Sequence, residues 1–180
     1  MKKLAAIAIA LTTIANPAFA VLPEDEEKPP KPTPTSTKCP DGTAWDEGSE
    51  SCAEMKASLF SDLDRFRAAR ELAYAGRLES AQRALDAMTD QSDARVLTYR
   101  GFIARKTGDW NSAKSYYAAA LVADPNNLLA RSYYGMGLAK RGDIEGARQQ
   151  LKEIRARGGR ETWPERALLL SLHSGGLSAY

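Results

Sequence analysis

ARVLTYRGFIARKTGDWNSAKSYYAAALVADPNN, residues 94–127, reads as two helices joined by a tight turn. Gly101 and Ala113 are small where two helices must approach closely, Gly108 sits where the first helix must end, and Pro125 stops the second. The spacing of Gly101, Gly108, Ala113, Tyr117 and Ala120 recurs on both sides. Downstream, Gly135, Gly142, Ala147, Leu151 and Ile154 follow at a constant step of 34 residues; upstream, Ala69, Gly76, Ala81, Leu85 and Met88 precede at a step of 32. Three repeats are therefore expected, at 62–93, 94–127 and 128–161. One hairpin cannot bury its own apolar face, and about three stacked neighbours make a stable array.

These residues resemble the tetratricopeptide repeat (TPR): Ala113, Tyr117, Ala120 and Pro125 match the second-helix half of its signature. In the first helix Leu97 and Gly101 fit, whereas Arg100 and Ala104 stand where the family usually has large apolar residues. The resemblance implies an all-α fold, a three-repeat TPR-like solenoid of helical hairpins with a C-terminal capping helix. It also implies a concave wall made by the first helix of each repeat. By the family's geometry the inward positions are Phe66, Arg70, Arg95, Tyr99, Phe102, Arg105, Tyr133, Met136 and Lys140. That mixture suits a protein or peptide segment with acidic and apolar side chains, because aromatic anchors bury area and guanidinium pairs with carboxylate. Tyr99, Phe102 and Tyr133 are expected to be exposed enough to bind. Chaperone-binding members clamp a terminal carboxylate with lysine and asparagine; here Phe66, Arg70, Phe102 and Met136 occupy those places.

Before the repeats the chain changes character twice. Met1-Lys2-Lys3, an apolar run to Ile14 and Ala18-Phe19-Ala20 read as a secretory signal peptide over 1–20, with the mature chain starting at Val21. No cysteine lies beside the cleavage point to accept lipid, so a soluble periplasmic protein without a transmembrane anchor is expected. Residues 21–38 are rich in proline, threonine, lysine and glutamate and read as an extended, semi-rigid tether. Cys39 and Cys52 are the only cysteines, and an even number in an oxidising compartment predicts one disulfide. It would close a loop of about 14 residues, worth roughly 3 kcal/mol on the chain-entropy model. Pro40-Asp41-Gly42 and Glu47-Gly48-Ser49 are turn chemistry, which makes 39–52 a stapled β-hairpin. Its Cys-Pro-x-Gly-x-x-aromatic pattern resembles the last hairpin of the invertebrate-type chitin-binding module, although that module's other cysteines are missing. The resemblance implies glycan contact through Trp45; a Trp that holds a small hairpin together is the plainer reading.

The helical domain is expected over 56–174. Leu59, Leu63, Phe66, Ala69, Leu72 and Ala73 recur at three and four, on one helical face. After Gly158-Gly159, Thr162 and Glu165 fit a capping box opening a final helix over 162–174. Its Leu168, Leu169, Leu170 and Leu172 are more apolar than a terminal cap needs; any excess would be a sticky patch through which the chain could form homo-oligomers.

Composition separates the two halves. Residues 21–54 hold nine acids against Lys28, Lys31 and Lys38, a net charge of −6, while residues 55–180 hold twenty basic and fourteen acidic residues, a net of +6. No basic run or nucleic-acid motif occurs, and acidic peptides, anionic envelope polymers or lipid surfaces are better partners for that charge than nucleic acid. His173 is the single histidine. Asp62 and Asp64, two apart on a helix, point to different faces. No phosphate loop, nucleophile elbow or histidine pair is present. The sequence thus leads to expect no enzyme, no catalytic residue, no metal and no cofactor. It points to an exported scaffold or adaptor that binds a protein segment in its groove, in envelope assembly or maintenance. The alternative is a cell-wall glycan binder using Trp45 and the Cys39–Cys52 hairpin. The acidic run Glu24–Glu27 could itself occupy the basic groove.

Overall fold

The structure, a computed structural model, describes residues 28–176. The expected signal peptide, its cleavage point and Glu24–Glu27 lie outside the described residues. Six helices form three antiparallel pairs: α2 (Asp62–Tyr74) with α3 (Leu78–Asp86), α4 (Ala94–Thr107) with α5 (Trp110–Ala123), and α6 (Leu128–Lys140) with α7 (Ile144–Ala156). The last helix, α8 (Trp163–His173), packs on α6 and α7. Ahead of the pairs come a helical turn, α1 (Pro34–Thr37), and a hairpin of β1 (Thr43–Asp46) and β2 (Ser51–Glu54).

Each helix end has a local cause. Ser61 and Asp64 form a reciprocal capping box at the start of α2, and Asp93, Asp109, Asn127 and Asp143 each accept a backbone N–H at the starts of α4, α5, α6 and α7. Between paired helices Gly76, Gly108 and Gly142 hold φ of 78°, 91° and 82°, the left-handed turn the repeat step predicts. Gly101 permits the closest approach in the middle pair, since a Cβ there would stand 2.6 Å from Cε1 of the wholly buried Tyr117. One continuous core runs from Ala44 and Met55, through Leu72, Leu85, Val96 and Tyr117, to Ile154 and Leu168.

Three expectations are corrected here. First, α2 begins at Asp62, so Leu59 lies ahead of it and is 51% exposed, while Leu63 in its first turn is 37% exposed. The reciprocal Ser61–Asp64 cap fixes that start. Second, Thr162 makes no side-chain cap bond; Glu165 instead accepts from the backbone N of Glu161 at 2.7 Å, and the Thr162 hydroxyl donates to Gly159 O. The buried Glu165 is drawn off register because it also accepts from Arg155 Nε at 2.5 Å.

Third, the tether does not extend to Lys38. Thr33 caps α1, and Thr33 N, Thr33 Oγ1 and Ser36 N donate to the buried carboxylate of Glu71 at 2.6, 2.7 and 3.0 Å. Arg77 donates to the carbonyls of Thr35, Ser36 and Cys39, and Asp41 accepts from Arg77 and from Ser80 Oγ. The hairpin is therefore docked on the first helical pair. It is stapled by the Cys39–Cys52 disulfide, with Trp45 opposite Cys52 in register, as the cysteine count predicts.

Glu165 ties the final helix to acid. Burial opposes its charge, but the hydrogen bonds from Arg155 and from the Glu161 backbone outweigh burial and hold the carboxyl below the ordinary glutamate range. A carboxyl depressed in the folded state contributes stability that is present above the unfolded pKa and lost as pH falls through the folded one. Urea midpoints should therefore fall on acidification below about pH 4. Glu165→Gln should flatten that fall relative to the native chain; an unchanged acid slope would show that other carboxylates carry it.

Candidate functional site

The first helices of the three pairs, α2, α4 and α6, contribute a run of aromatic rings that crosses all three repeats. Phe66 meets Tyr99 edge-on at 5.6 Å between centroids, Tyr99 lies 5.8 Å from Phe102, and Phe102 lies 5.0 Å from Tyr133. Trp163 of α8 continues the run at 6.3 Å from Tyr133. Tyr74 stacks on Phe102 at 5.6 Å, and its hydroxyl is hydrogen-bonded to that of Tyr133 at 2.7 Å. Burial pushes both phenols well above the ordinary tyrosine pKa, so across the biological range they are neutral hydroxyls.

Cations stand against these rings. The guanidinium carbons of Arg70 and Arg95 lie 5.8 and 5.1 Å from the Phe66 centroid, and that of Arg105 lies 5.3 Å from Phe102 and 5.9 Å from Tyr133. Lys106 Nζ is 5.6 Å from Phe102. Desolvation lowers the Lys106 pKa first, and the charges of Arg105 and Lys140 lower it further. A cation over a ring face is held by the ring quadrupole while keeping its donors for a carboxylate.

Phe66, Arg70, Arg95, Tyr99, Phe102, Arg105 and Tyr133 thus come together in ring–ring and ring–cation contacts, but their accessibility differs from expectation. Tyr99 and Phe102 are 1% exposed and Tyr133 is 0% exposed; Phe66, Arg70 and Met136 are buried too. The rings pack on one another and under the guanidinium groups instead of offering open faces. The accessible members are Arg95 and Arg105, half-buried, and Lys140, exposed. Arg95 already pairs with Asp93, Nη2 to Oδ2 at 2.6 Å.

Tyr74, Lys106 and Trp163 belong to the face without having been singled out in the sequence. For the first two a signal existed: the repeat steps carry Lys140 back to Lys106 and then to Tyr74. Trp163 lies beyond the third repeat and has no equivalent. Trp45 sits apart in the docked hairpin, half-buried, with Lys38 Nζ 5.7 Å from its ring centroid and its backbone N donating to Thr35 Oγ1. Among the described residues no group of three or more His, Cys, Asp or Glu side chains is placed to hold a metal. No described helix is long and apolar enough to cross a membrane.

No curated protein and no solved structure matches the chain. The tetratricopeptide repeat family model matches residues 94–127, which are α4, α5 and the turn between them. The middle of the three stacked hairpins is thus similar to the tetratricopeptide repeat, a family whose arrays generally serve as non-catalytic protein-interaction modules.

Proposed function

We propose that this protein is an exported, non-enzymatic adaptor that holds a protein segment with acidic and apolar side chains on the face formed by α2, α4 and α6, in envelope assembly or maintenance. The observation that carries the reading is the placing of Arg105 against the Phe102 and Tyr133 rings and of Lys106 against the Phe102 ring. Cations backed by apolar rings favour carboxylates flanked by hydrophobic groups over fully hydrated anions. Export rests on the pattern of residues 1–20 and accords with the Cys39–Cys52 disulfide. Glycan binding through Trp45 gains no support, since Lys38 stands against that ring and the hairpin is docked instead of carried on a free tether.

The test is a peptide array probed with the mature chain and with Arg105→Glu combined with Lys140→Glu. Captured acidic-apolar peptides should lose about tenfold or more in affinity in the double variant, the loss expected when charge attraction becomes repulsion. Binding unaltered by both reversals, with an unaltered thermal melt, would take the face out of the account. Cell fractionation and the N-terminal sequence of the mature protein check export and the start at Val21.

A further inference from the structure

The chain enters the described structure at the edge of this face. Arg70 Nη2 donates to the carbonyl of Lys28 at 2.8 Å, and Nε of the same guanidinium reaches Tyr99 Oη at 3.4 Å. The next residue of α2, Glu71, grips Thr33 and Ser36. Two adjacent side chains thus hold the incoming segment at two points, and the residues ahead of Lys28 start beside the Phe66–Tyr99 end of the ring run.

Those residues are Val21-Leu22-Pro23-Glu24-Asp25-Glu26-Glu27. Two apolar side chains and four consecutive acids are the chemistry the face is built to take. The reach is sufficient: seven extended residues span up to about 25 Å, and crossing from α2 over α4 to α6 takes roughly 20 Å at ordinary interaxial spacing. Lys28 is held beside the Phe66–Tyr99 rings through Arg70, so the acids that precede it in the chain are tethered at the edge of the charged face.

We propose that residues 21–27 of the mature chain are the resident occupant of the face, with the acids toward Arg95, Arg105, Lys106 and Lys140, and that a partner binds by displacing them. The inference rests on the adaptor reading above. Exposed ion pairs are individually weak and screened by salt, but an occupant anchored at Lys28 acts at an effective concentration of about a millimolar or more. Weak contacts suffice under that condition. The closed form competes with external ligands at low salt and opens as salt rises.

The experiment compares the native mature chain with the same chain carrying Glu24→Gln, Asp25→Asn, Glu26→Gln and Glu27→Gln. The probe is a fluorescent peptide with the sequence of residues 21–27, followed by anisotropy at low and high salt. The neutralised chain should bind the probe about tenfold more tightly than the native chain at low salt, the factor expected for a millimolar-range competitor of roughly 100 µM intrinsic affinity. The difference should shrink at high salt, and Arg105→Glu in the neutralised chain should abolish binding. Equal affinities of native and neutralised chains, with binding still lost in Arg105→Glu, would overturn self-occupancy and leave the adaptor reading standing. No probe binding to the neutralised chain would also overturn it, and the peptide array then judges the adaptor reading alone. Protection that appears only in a concentration-dependent dimer would replace an intramolecular occupant by an exchanged one and would likewise overturn the proposal.

Discussion

Glu71→Ala is expected to release the N-terminal cap and to lower stability by about 3 kcal/mol, of the order set by charge-assisted hydrogen bonds worth roughly 1.5–3 kcal/mol each. The carboxylate accepts three bonds from Thr33 and Ser36 across 38 and 35 residues of sequence, so its loss frees a segment and not merely a side chain. The three losses do not add fully, because Thr33 is exposed and its donors find water once freed. Glu71→Gln keeps an acceptor without the charge and should fall between alanine and the native chain. Urea unfolding gives the magnitude. Hydrogen exchange gives the location: protection should drop across residues 33–54 and stay unchanged in α4 to α7. A stability loss with full protection of 33–54 would mean that Arg77 and Asp41 alone hold the cap.

Leu168→Ala should cost about 3 kcal/mol, within the range for emptying a wholly buried leucine site. Leu168 is 0% exposed, and its two methyl groups would lie 2.8 Å from a Cβ built on Gly135, so α8 is seated by one leucine against one glycine. The pairing allows a sharper test than the single loss. Gly135→Ala alone overpacks the contact, at a cost of about 1–3 kcal/mol, whereas in the Leu168→Ala chain the added methyl enters space already vacated. The double variant should therefore be more stable than the sum of the two changes predicts, by about 1 kcal/mol or more. Strict additivity of unfolding free energies would show that the helices shift apart instead of meeting at this point.

The repeat architecture was legible because it rests on backbone demands that only particular residues meet. Gly108 and its equivalents take left-handed turns, Gly101 admits a ring, and Pro125 ends a helix, and each requirement leaves a fixed residue at a fixed step. The disulfide was legible by counting. The docking of residues 33–41 was not, because Glu71 is an acid in the middle of a helix, and nothing in its neighbours distinguishes a solvated carboxylate from one gripping a distant turn. The cap of α8 was misread by one residue for a similar reason: Arg155, ten positions away, draws Glu165 from the geometry that local spacing favours. At the candidate site the choice of positions followed from the repeat, and seven of them, Phe66, Arg70, Arg95, Tyr99, Phe102, Arg105 and Tyr133, stand in ring–ring or ring–cation contact. Their accessibility did not follow, since burial of Tyr99, Phe102 and Tyr133 comes from rings and guanidinium groups of neighbouring helices packing on one another, which the pattern of one helix does not reveal.

The two ends of the array are closed by unlike devices. On one side the disulfide hairpin and α1 cover the first pair through Arg77, Asp41 and Glu71; on the other α8 covers the third through Leu168 and the bond from Ser132 Oγ to Pro164 O. A solenoid with a bare terminal pair presents the same face that its internal repeats use to stack, and a second molecule could add there head to tail without limit. Among the described residues the first and third pairs are each covered within the molecule, so the face an internal repeat would stack on is occupied at both ends. Reduction of Cys39–Cys52 should therefore loosen the cover on the first pair and raise concentration-dependent self-association, which light scattering with and without reductant would read.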